Sequence, residues 1–479
     1  MSTTARLLFV LLIVLNRPAF CQHPKATPDE SPRFFYKGLL ISDCTIPGER
    51  TEDGVKPGNA VCWQLSKTRY IWVYQTKSFQ GADSVRAIVY QIRKDRPDGP
   101  ILKEAVLSPF TDHWDPFGRG DKYFKQQGHA KVFGVPKGAV DKNGKLLPSN
   151  NVFCAGWYQH ARIVDHATGR LLHTLDERSR ELSDATQRIA TIQFKLNEAE
   201  DDIELLTPIT ILRQKGFETG DAFCELGPTA IGVNQWYTPY SPYDEECTQW
   251  VDVRHFLPDG LAAVMMEFDP KTRRYEWTKT GPLATMPEQN LIEASLNRIG
   301  DEWIVGARPN RFSIRSAAGP SKSVTNMGWE GCAVWFRRKD LFAGLGDPIV
   351  MPGRPAACRS SYVCPDGVLR VFGGDKHLSP YNWPRNPVYC WDVDPSDFAL
   401  SNCKTLIATA DLGWAPTVRS VKMRAFLSPV FDNKQIASAR VTAEVVGTPG
   451  EKVLDQCGVH YWYVTYDRDI ECQWRFAQQ

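Results

Sequence analysis

The chain has 479 residues, of which 42% are hydrophobic and 23% are charged, as in an ordinary globular protein. This length is ample for one large hydrophobic core or for two domains. The formal net charge is only +2, so the composition gives no indication of binding to nucleic acid or to an anionic membrane surface.

The N-terminus has the pattern of a secretion signal. Arg6 is the basic end, residues 7–15 (LLFVLLIVL) are the apolar stretch, and Ala19 and Cys21 fit a cleavage site. The stretch is too short for a usual transmembrane helix, and no other segment is apolar enough to span a membrane. The sequence predicts a signal peptide over 1–21 and an exported chain over 22–479, which is secreted, periplasmic or at the cell surface. A lipid anchor on Cys21 is the minor alternative.

The cysteines point to disulfide bonds. Removal of Cys21 from the thirteen cysteines leaves twelve, an even number. In an exported protein, this favours disulfides over zinc, and the chain has no Cys-x-x-Cys motif. We expect at least two disulfides, whose pairing the sequence leaves open. No cofactor and no metal is expected.

Most of the chain reads as short apolar strands broken by Gly, Pro, Asn and Asp. Several units share one order: an apolar strand, a turn such as Leu-Pro-Asp-Gly (257–260) or Cys-Pro-Asp-Gly (364–367), a second strand and a polar link. The units recur about every 50–80 residues, as the four-stranded blades of a β-propeller do. The sequence therefore predicts an all-β, six-bladed β-propeller, with five to seven blades allowed. A pair of β-sandwich domains is the structural alternative.

Residues 176–206 break this pattern. The segment has no Gly or Pro, and its apolar residues alternate in steps of three and four. This spacing predicts one long inserted α-helix with a heptad seam. Such a helix either lies on the propeller rim or forms a coiled coil with a second copy of the chain, giving a homo-oligomer. The seam residues are Leu182, Ala185, Ile189, Ile192, Leu196, Ala199, Ile203 and Leu206.

Candidate functional residues lie at the ends of predicted strands. Glu293 heads one strand of the stretch 292–310, and Arg308 ends the next. This stretch, the strand–Asp-Gly turn–strand of 362–376 and the Arg385 segment (381–395) resemble the sialidase-like family of six-bladed propellers. Ala294 stands where that family's Glu-Pro-Ser has Pro.

The resemblance implies an exo-glycosidase mechanism. Sialidases hold the substrate carboxylate with arginines, which can each form two parallel hydrogen bonds to it. Their nucleophile is a tyrosine, which a glutamate helps to deprotonate, and an aspartate acts as general acid. By position, Arg308 and Arg385 match two of the arginines, Glu293 matches the glutamate, and Tyr381 is the nearest candidate for the tyrosine.

Other parts of the family pattern are missing. The Ser-x-Asp-x-Gly-x-Thr-Trp repeat is absent, and the first arginine and the general acid are unassigned. Asp83, Asp112 and Asp115 are the candidates for the acid. His113, His129 and His160 occur in the early blades, and one of them could approach the active-site mouth. Residues 125–140 form another candidate mouth loop.

Two further loops carry candidate binding residues. Asp375 lies beside the Tyr381 loop, and Trp329 lies in a Gly-flanked loop where an exposed ring could stack on a sugar. Each candidate also has a structural interpretation: a surface ion pair for Arg308, a strand-end brace for Glu293, and loop packing for Tyr381 and Trp329.

The sequence thus predicts a secreted, sialidase-like glycoside hydrolase acting on a terminal acidic sugar or a related glycan. Its partner would be a carbohydrate or glycoconjugate. The alternative is a propeller without catalysis that binds glycans or takes part in surface assembly. Motifs for other enzyme classes, such as Gly-x-Ser-x-Gly, His-Glu-x-x-His and a phosphate loop, are absent.

Overall fold

A computed structural model gives the fold, and it describes the chain in segments. The described residues are 32–47, 56–76, 86–116, 118–120, 122–140, 144–147, 151–165, 170–171, 188–211, 213–214, 230–231, 249–256, 260–269, 271–272, 274–286, 290–310, 332–352, 361–373, 387–408, 418–427, 435–445, 456–467 and 475–476. The predicted signal peptide lies outside them.

The strands of the first half form blades 1 and 2, and β1 is part of blade 6. Strand β1 is Arg33–Leu40. Blade 1 consists of β2 (Pro57–Ser66), β3 (Arg69–Thr76), β4 (Ile88–Lys94) and β5 (Ile101–Ser108). Blade 2 and its connections contain β6 (Phe124–Gly134), β7 (Ala139–Val140), β8 (Phe153–Arg162), β9 (Val164–Asp165), β10 (Arg170–Leu171), β11 (Arg188–Leu196), β12 (Ile203–Leu205) and β13 (Thr210–Ile211).

The second half completes the ring. Blade 3 contains β14 (Arg213–Gln214), β15 (Ala230–Ile231), β16 (Gln249–Phe256), β17 (Gly260–Asp269), β18 (Arg274–Thr280) and β19 (Ala284–Thr285). Blade 4 contains β20 (Asn290–Ile299), β21 (Glu302–Asn310), β22 (Cys332–Arg338) and β23 (Ile349–Pro352), with a 3-10 helix at Leu341–Ala343. Blade 5 contains β24 (Ser361–Val363), β25 (Leu369–Gly373), β26 (Val388–Val393) and β27 (Leu400–Ile407). Blade 6 contains β28 (Val418–Leu427), β29 (Gln435–Val445) and β30 (Gly458–Thr465), and β31 (Arg475–Phe476) pairs with β7.

The N-terminal strand closes the ring. β1 pairs antiparallel with β30, so blade 6 combines the first described strand with three strands from the other end of the chain. Such closure leaves no open edge between the first and last blades. The predicted six-bladed, all-β propeller is therefore confirmed, and the β-sandwich alternative is wrong.

The innermost strands meet around the propeller axis. β2 contacts β6 and β28, and β20 contacts β16 and β24. Each of these strands opens its blade, except β16, which follows the two-residue strands β14 and β15, and their starting residues lie at one end of the propeller. The end of each second strand pairs with the start of the first, and it lies at this end as well. We call this end of the propeller the mouth.

Blades pack on both faces, which explains the nearly continuous apolar strands. All ten residues of β8 are buried, as are seven of the eight in β3. Side-chain hydrogen bonds join neighbouring blades within this core. Trp63 of blade 1 donates from its indole to the Gly134 carbonyl of blade 2 at 3.0 Å. Asn297 of blade 4 accepts from the Val363 N–H of blade 5 at 2.9 Å.

The predicted helix over 176–206 does not form in its described part, and residues 176–187 lie outside the described residues. Residues 188–205 form the antiparallel hairpin β11–β12, with Leu196 paired to Ile203. Ile189 and Ile192 of the heptad seam are buried, but so are Ala190 and Thr191 between them, because β11 is an inner layer with blades on both sides. A strand buried on both faces can carry apolar residues at any spacing, including heptad spacing. The coiled-coil dimer has no basis without this helix.

The expected disulfides do not form within the described part of the chain. The thiols of Cys62, Cys364 and Cys390 are buried and reduced. Burial raises the pKa of Cys62 and Cys390 well above the ordinary thiol value. Cys224 and Cys358, among others, lie outside the described residues. Where the chain is described, no helix has the length and apolar character needed to cross a membrane.

Candidate functional site at the propeller mouth

The register of blade 4 places two predicted site residues together at the mouth. Ile292, the third residue of β20, pairs with Arg308, the third residue from the end of β21. The next register pair is Ser295 with Gly306, so Glu293 and Ala294 together oppose a single residue, Ala307. This is a β-bulge, a feature that is common beside active sites because it changes the direction of side chains.

The other predicted site residues cannot be placed in this way. Trp329, Asp375, Tyr381 and Arg385 lie outside the described residues, and their roles remain predictions. Of the candidates for the general acid, Asp112 and Asp115 lie in the described residues and Asp83 does not. Asp115 accepts a hydrogen bond from the Gly120 N–H at 2.6 Å, which gives it a structural role in an exposed loop.

Two acid candidates remain besides Asp115. The carboxylate of Asp112 lies 3.1 Å from Nε2 of His113, whose side chain is 69% exposed. The Asp112 side chain is itself 45% exposed, so the pair lies in contact with solvent. Asp83 lies outside the described residues.

Blade 2 has a second set of polar residues where β6 begins and β8 ends. His160, third from the end of β8, pairs with Gln126, the third residue of β6. Relative to the bulge in each blade, Tyr158 occupies in blade 2 the register position that Arg308 occupies in blade 4, and His160 lies two residues further along β8. Arg162, the last residue of β8, pairs with Phe124, the first residue of β6. Because side chains alternate along a strand, His160 and Arg162 lie on one face of β8.

Positive charges surround His160. Burial and the nearby guanidinium groups of Arg162 and Arg86 lower the pKa of His160 to about 3. The imidazole is therefore neutral at physiological pH. Neither ring nitrogen has a hydrogen-bond partner within the described structure, although the residue is only 7% exposed. A neutral imidazole in this state can donate one hydrogen bond and accept another.

Arg86 belongs to blade 1 and lies at the mouth beside the end of β3. The Thr76 N–H donates to the carbonyl of Ala87, the next residue, at 3.1 Å. Gln127 of β6 donates to the Arg86 carbonyl at 3.1 Å and accepts from the Trp157 indole at 3.0 Å. This amide fixes the backbone that carries Arg86 against blade 2. Arg86 itself is fully buried.

Lys125, the second residue of β6, is a further cation in this region. Burial lowers the pKa of Lys125 to about 8, so its amine loses part of its charge just above neutral pH. Lys125 immediately precedes Gln126, whose side-chain amide donates to the Tyr158 hydroxyl at 3.2 Å. The opposite pole of this amide, Oε1, is buried and has no partner among the described groups.

Gly128 lets two blades approach each other at this level. A Cβ on this residue would collide with Oε1 of Gln75 from blade 1, and it would lie 3.1 Å from the hydroxyl of Tyr158. The side chains of Gln75 and Tyr158 therefore meet over the bare backbone of Gly128. A larger residue here would have to displace the side chains of Gln75 and Tyr158.

Cationic residues gather at this end of the propeller. Arg86 and Arg162 lie near His160, Lys125 is at the start of β6, and Arg308 is near the end of β21 in blade 4. His160 and Gln126 carry buried polar atoms without a partner among the described groups. Guanidinium groups prefer the planar, two-oxygen geometry of a carboxylate or related anion. Within the described residues, no cluster of His, Cys, Asp and Glu forms a metal site.

Sequence reasoning found part of this site. It named His160 as a candidate for the mouth, and the structure places it there. Residues 125–134, predicted as part of a mouth loop, instead form most of the innermost strand β6. Arg86 and Arg162 were missed, because an arginine shortly before a strand or at its end carries no signal of its own. Their contribution depends on two blades meeting, which only the three-dimensional arrangement shows.

These features define the protein as a six-bladed β-propeller with a cationic mouth. No protein-family model matches the sequence, and no curated protein matches it. Solved structures with similar folds include the Trypanosoma rangeli sialidase in complex with the inhibitor DANA, at 7% identity and a TM-score of 0.48 over 91% of this chain and 59% of that one. The NanB sialidase from Streptococcus pneumoniae is 9% identical, with a TM-score of 0.49 over 91% of this chain and 71% of that one. The GH93 alpha-L-arabinofuranosidase of Fusarium graminearum is 12% identical, with a TM-score of 0.39 over 90% of this chain and 98% of that one.

Proposed function

We propose that the protein is a secreted glycoside hydrolase that acts on a terminal acidic sugar or a related glycan. The observation that carries the proposal is the blade 4 register, in which Arg308 pairs with Ile292 directly beside the Glu293 bulge. The proposed carboxylate-binding residue and the proposed base therefore belong to adjacent strands of one blade. The amine of Lys125 at the start of β6 supports the choice of an acidic substrate.

The proposed mechanism follows the resemblance to sialidases. Arg308 and Arg385 would hold the carboxylate of the sugar, and Asp375 and Trp329 would contact the rest of the ring. Glu293 would take the phenol proton of Tyr381, because an unassisted tyrosine, with a pKa near 10, is a weak nucleophile at neutral pH. The tyrosine oxygen would then attack the anomeric carbon while a general acid protonates the leaving oxygen.

The test is turnover of a fluorogenic sialic-acid glycoside by the purified chain. The variants Arg308→Ala and Arg385→Ala should each lose turnover. Arg298→Ala is the matched control, because Arg298 lies near the other end of β20 and stacks on Trp303 at 5.2 Å. Absence of turnover in the wild type would exclude plain sialidase activity. A glycan array would then distinguish another acidic sugar from a propeller that only binds glycans.

A further inference from the structure

Two buried polar residues follow the Glu293 bulge on β20. Ser295 is the first paired residue after the bulge and opposes Gly306, and Asn297 opposes Ile304. Because side chains alternate along a regular strand, Ser295 and Asn297 lie on one face of β20. This face meets blade 5, as the hydrogen bonds of both side chains show.

Ser361, the first residue of β24 in blade 5, is the partner of both residues. The hydroxyl oxygens of Ser295 and Ser361 lie 2.5 Å apart. Nδ2 of Asn297 donates to Oγ of Ser361 at 2.9 Å and to the Ser361 carbonyl at 3.3 Å. All three residues are buried, so bulk water does not compete for these contacts. We call Ser295, Asn297 and Ser361 the blade 4–5 clasp.

The Asn297 amide has a structural role in this clasp. β24 is the end strand of its sheet, and an end strand leaves backbone N–H and C=O groups without a strand partner. Oδ1 of Asn297 accepts from the Val363 N–H at 2.9 Å, while Nδ2 donates to the Ser361 carbonyl. Asn297 therefore pairs the inner edge of the short strand β24, and this role does not involve the Ser295 hydroxyl.

The hydroxyl contact between Ser295 and Ser361 acts on the bulge. A shift of register by one residue moves every side chain of a strand to its other face, so the point where regular pairing resumes after a bulge must be fixed. Ser295 marks that point, and its hydroxyl also lies 3.5 Å from the carbonyl of its register partner Gly306. An anchor on blade 5 at Ser295 thus keeps positions 293 and 294 as the two bulge residues.

The clasp joins the two blades that carry the proposed site. Glu293 and Arg308 belong to β20 and β21 of blade 4. Asp375, Tyr381 and Arg385 lie in the sequence between β25 and β26 of blade 5. The proposed proton transfer from Tyr381 to Glu293 therefore crosses from one blade to the other, and it depends on how the two blades are aligned.

We propose that Ser295 and Ser361 are positioning residues for hydrolysis: their hydroxyl contact holds the Glu293 bulge in register with blade 5. The inference rests on the proposed function, which assigns the base to position 293. A displaced bulge would slow proton transfer, which is sensitive to shifts of about 1 Å. Binding of the sugar carboxylate would change little, because Arg308 pairs with Ile292 before the bulge.

The test is the double variant Ser295→Ala with Ser361→Ala. Removal of both hydroxyls together leaves neither without its partner, and such paired replacements can be nearly neutral for stability. Asn297 keeps its bonds to the Val363 N–H and to the carbonyl of residue 361. We expect kcat on a fluorogenic acidic glycoside to fall by about tenfold or more, with KM within about twofold of the wild type. The melting temperature should stay close to that of the wild type.

Thr191→Val with Thr210→Val is the matched control. The hydroxyl oxygens of these residues lie 2.9 Å apart within blade 2, so the control also removes a hydroxyl pair, but not one between blades. It should leave kcat and KM unchanged. Wild-type kcat in the Ser295 and Ser361 double variant would overturn the proposal. A parallel fall of kcat and melting temperature would overturn it too, because it would show a structural role.

Hydrogen exchange distinguishes failure of this proposal from failure of the proposed function. In the Ser295 and Ser361 double variant, the amides of residues 290–296 and 304–310 should exchange faster than in the wild type, while those of β2 and β3 in blade 1 stay unchanged. If the wild type hydrolyses no acidic glycoside, faster exchange at these amides still supports the clasp as the anchor of the bulge, and only hydrolysis is rejected. Unchanged exchange overturns the clasp, whatever the activity of the wild type.

Discussion

Ile292 and Arg308 are register partners on neighbouring strands, and the chain bulges at the very next residue, Glu293. The pairing explains how a carboxylate and a guanidinium, fifteen positions apart in the sequence, come to the same level of one blade. The hairpin turn at Gly300, whose φ is 59°, sets this register. A substrate carboxylate bound by Arg308 would thus lie beside the proposed base.

Replacement of Arg308 should abolish turnover of an acidic glycoside. A charge-assisted hydrogen bond contributes about 1.5–3 kcal/mol, so losing a two-bond contact should lower kcat/KM by about 100-fold or more. Arg308→Lys should not restore activity, because an ammonium group cannot reproduce the paired geometry. Steady-state kinetics of Arg308→Ala, Arg308→Lys and the control Arg298→Ala give the answer. Equal kinetics in all three variants would contradict the assignment.

Gly128 is predicted to be essential for the contact between blades 1 and 2. Gly128→Ala places a methyl group against the Gln75 amide and the Tyr158 hydroxyl, which must move apart. Overpacking of this kind costs about 1–3 kcal/mol. We therefore expect a lower free energy of unfolding and reduced activity, since Gln126 hydrogen-bonds to Tyr158 in the mouth. Denaturant unfolding and kinetics measure the two effects.

Gly58 provides the matched control. It is the last paired residue before the β-bulge in β2 of blade 1, as Gly128 is in β6 of blade 2. A Cβ on Gly58 would lie no closer than 3.6 Å to any neighbour, which is ordinary van der Waals contact. Gly58→Ala should therefore fold and function like the wild type. A comparable loss in both variants would mean that the position, rather than the space available, requires glycine.

Lys125 should set an alkaline limit for binding of an acidic substrate. Its pKa is lowered to about 8 by burial, so the amine is charged below this pH and neutral above it. We expect KM to rise severalfold between about pH 7 and about pH 9 as the positive charge is lost. Lys125→Arg, which stays charged, should remove this rise in a pH–KM profile. An identical profile in the two proteins would show that Lys125 does not face the substrate.

The sequence predicts the blades well because their turns carry local signals. The Cys-Pro-Asp-Gly turn, for example, forms as expected: the Gly367 N–H donates to the Cys364 carbonyl at 2.8 Å, and Gly367 has a φ of 80°. Glycine is favoured at such a position because it has no Cβ. Each hairpin can therefore be recognised without knowledge of its neighbours.

The sequence predicts the 188–205 hairpin and the mouth poorly because both depend on distant contacts. Burial of β11 between two blades makes its apolar residues resemble a helical seam. The turn that interrupts them uses Asn197, whose Oδ1 accepts from the N–H of Asp201 at 3.1 Å. The turn at Asn197 is hard to recognise in the sequence because acidic residues follow it. The grouping of Arg86 with His160 likewise requires two blades to be assembled.

His160 should make the fold less stable in acid. Its pKa is about 3 in the folded protein and near 6.5 when unfolded, so the unfolded chain binds the extra proton between these values. Stability is therefore full above about pH 6.5 and falls as the pH drops towards 3, by about 1.4 kcal/mol per pH unit. Urea unfolding at several pH values should show this slope, and His160→Gln should reduce it.

His460 is a second buried histidine, and its contribution to the pH dependence of stability must be separated from that of His160. Burial also lowers the pKa of His460, so a smaller slope of the same sign should remain in His160→Gln. An unchanged slope in His160→Gln would contradict the neutral, enclosed imidazole.

Arg370 should be the most sensitive ion-pair residue of blade 5. Its guanidinium binds both oxygens of Asp366, at 2.7 and 2.8 Å, and donates from Nε to Asp392 at 2.7 Å. The Arg370 and Asp366 side chains are only 1% and 0% exposed. Arg370→Met would leave buried carboxylates without their cation, at a cost of about 3–5 kcal/mol. The exposed pair of Lys339 and Asp301 has the same 2.7 Å separation, yet Lys339→Met should change the unfolding midpoint little because water screens the charges. Equal shifts in the two variants would show that burial does not decide the strength of these pairs.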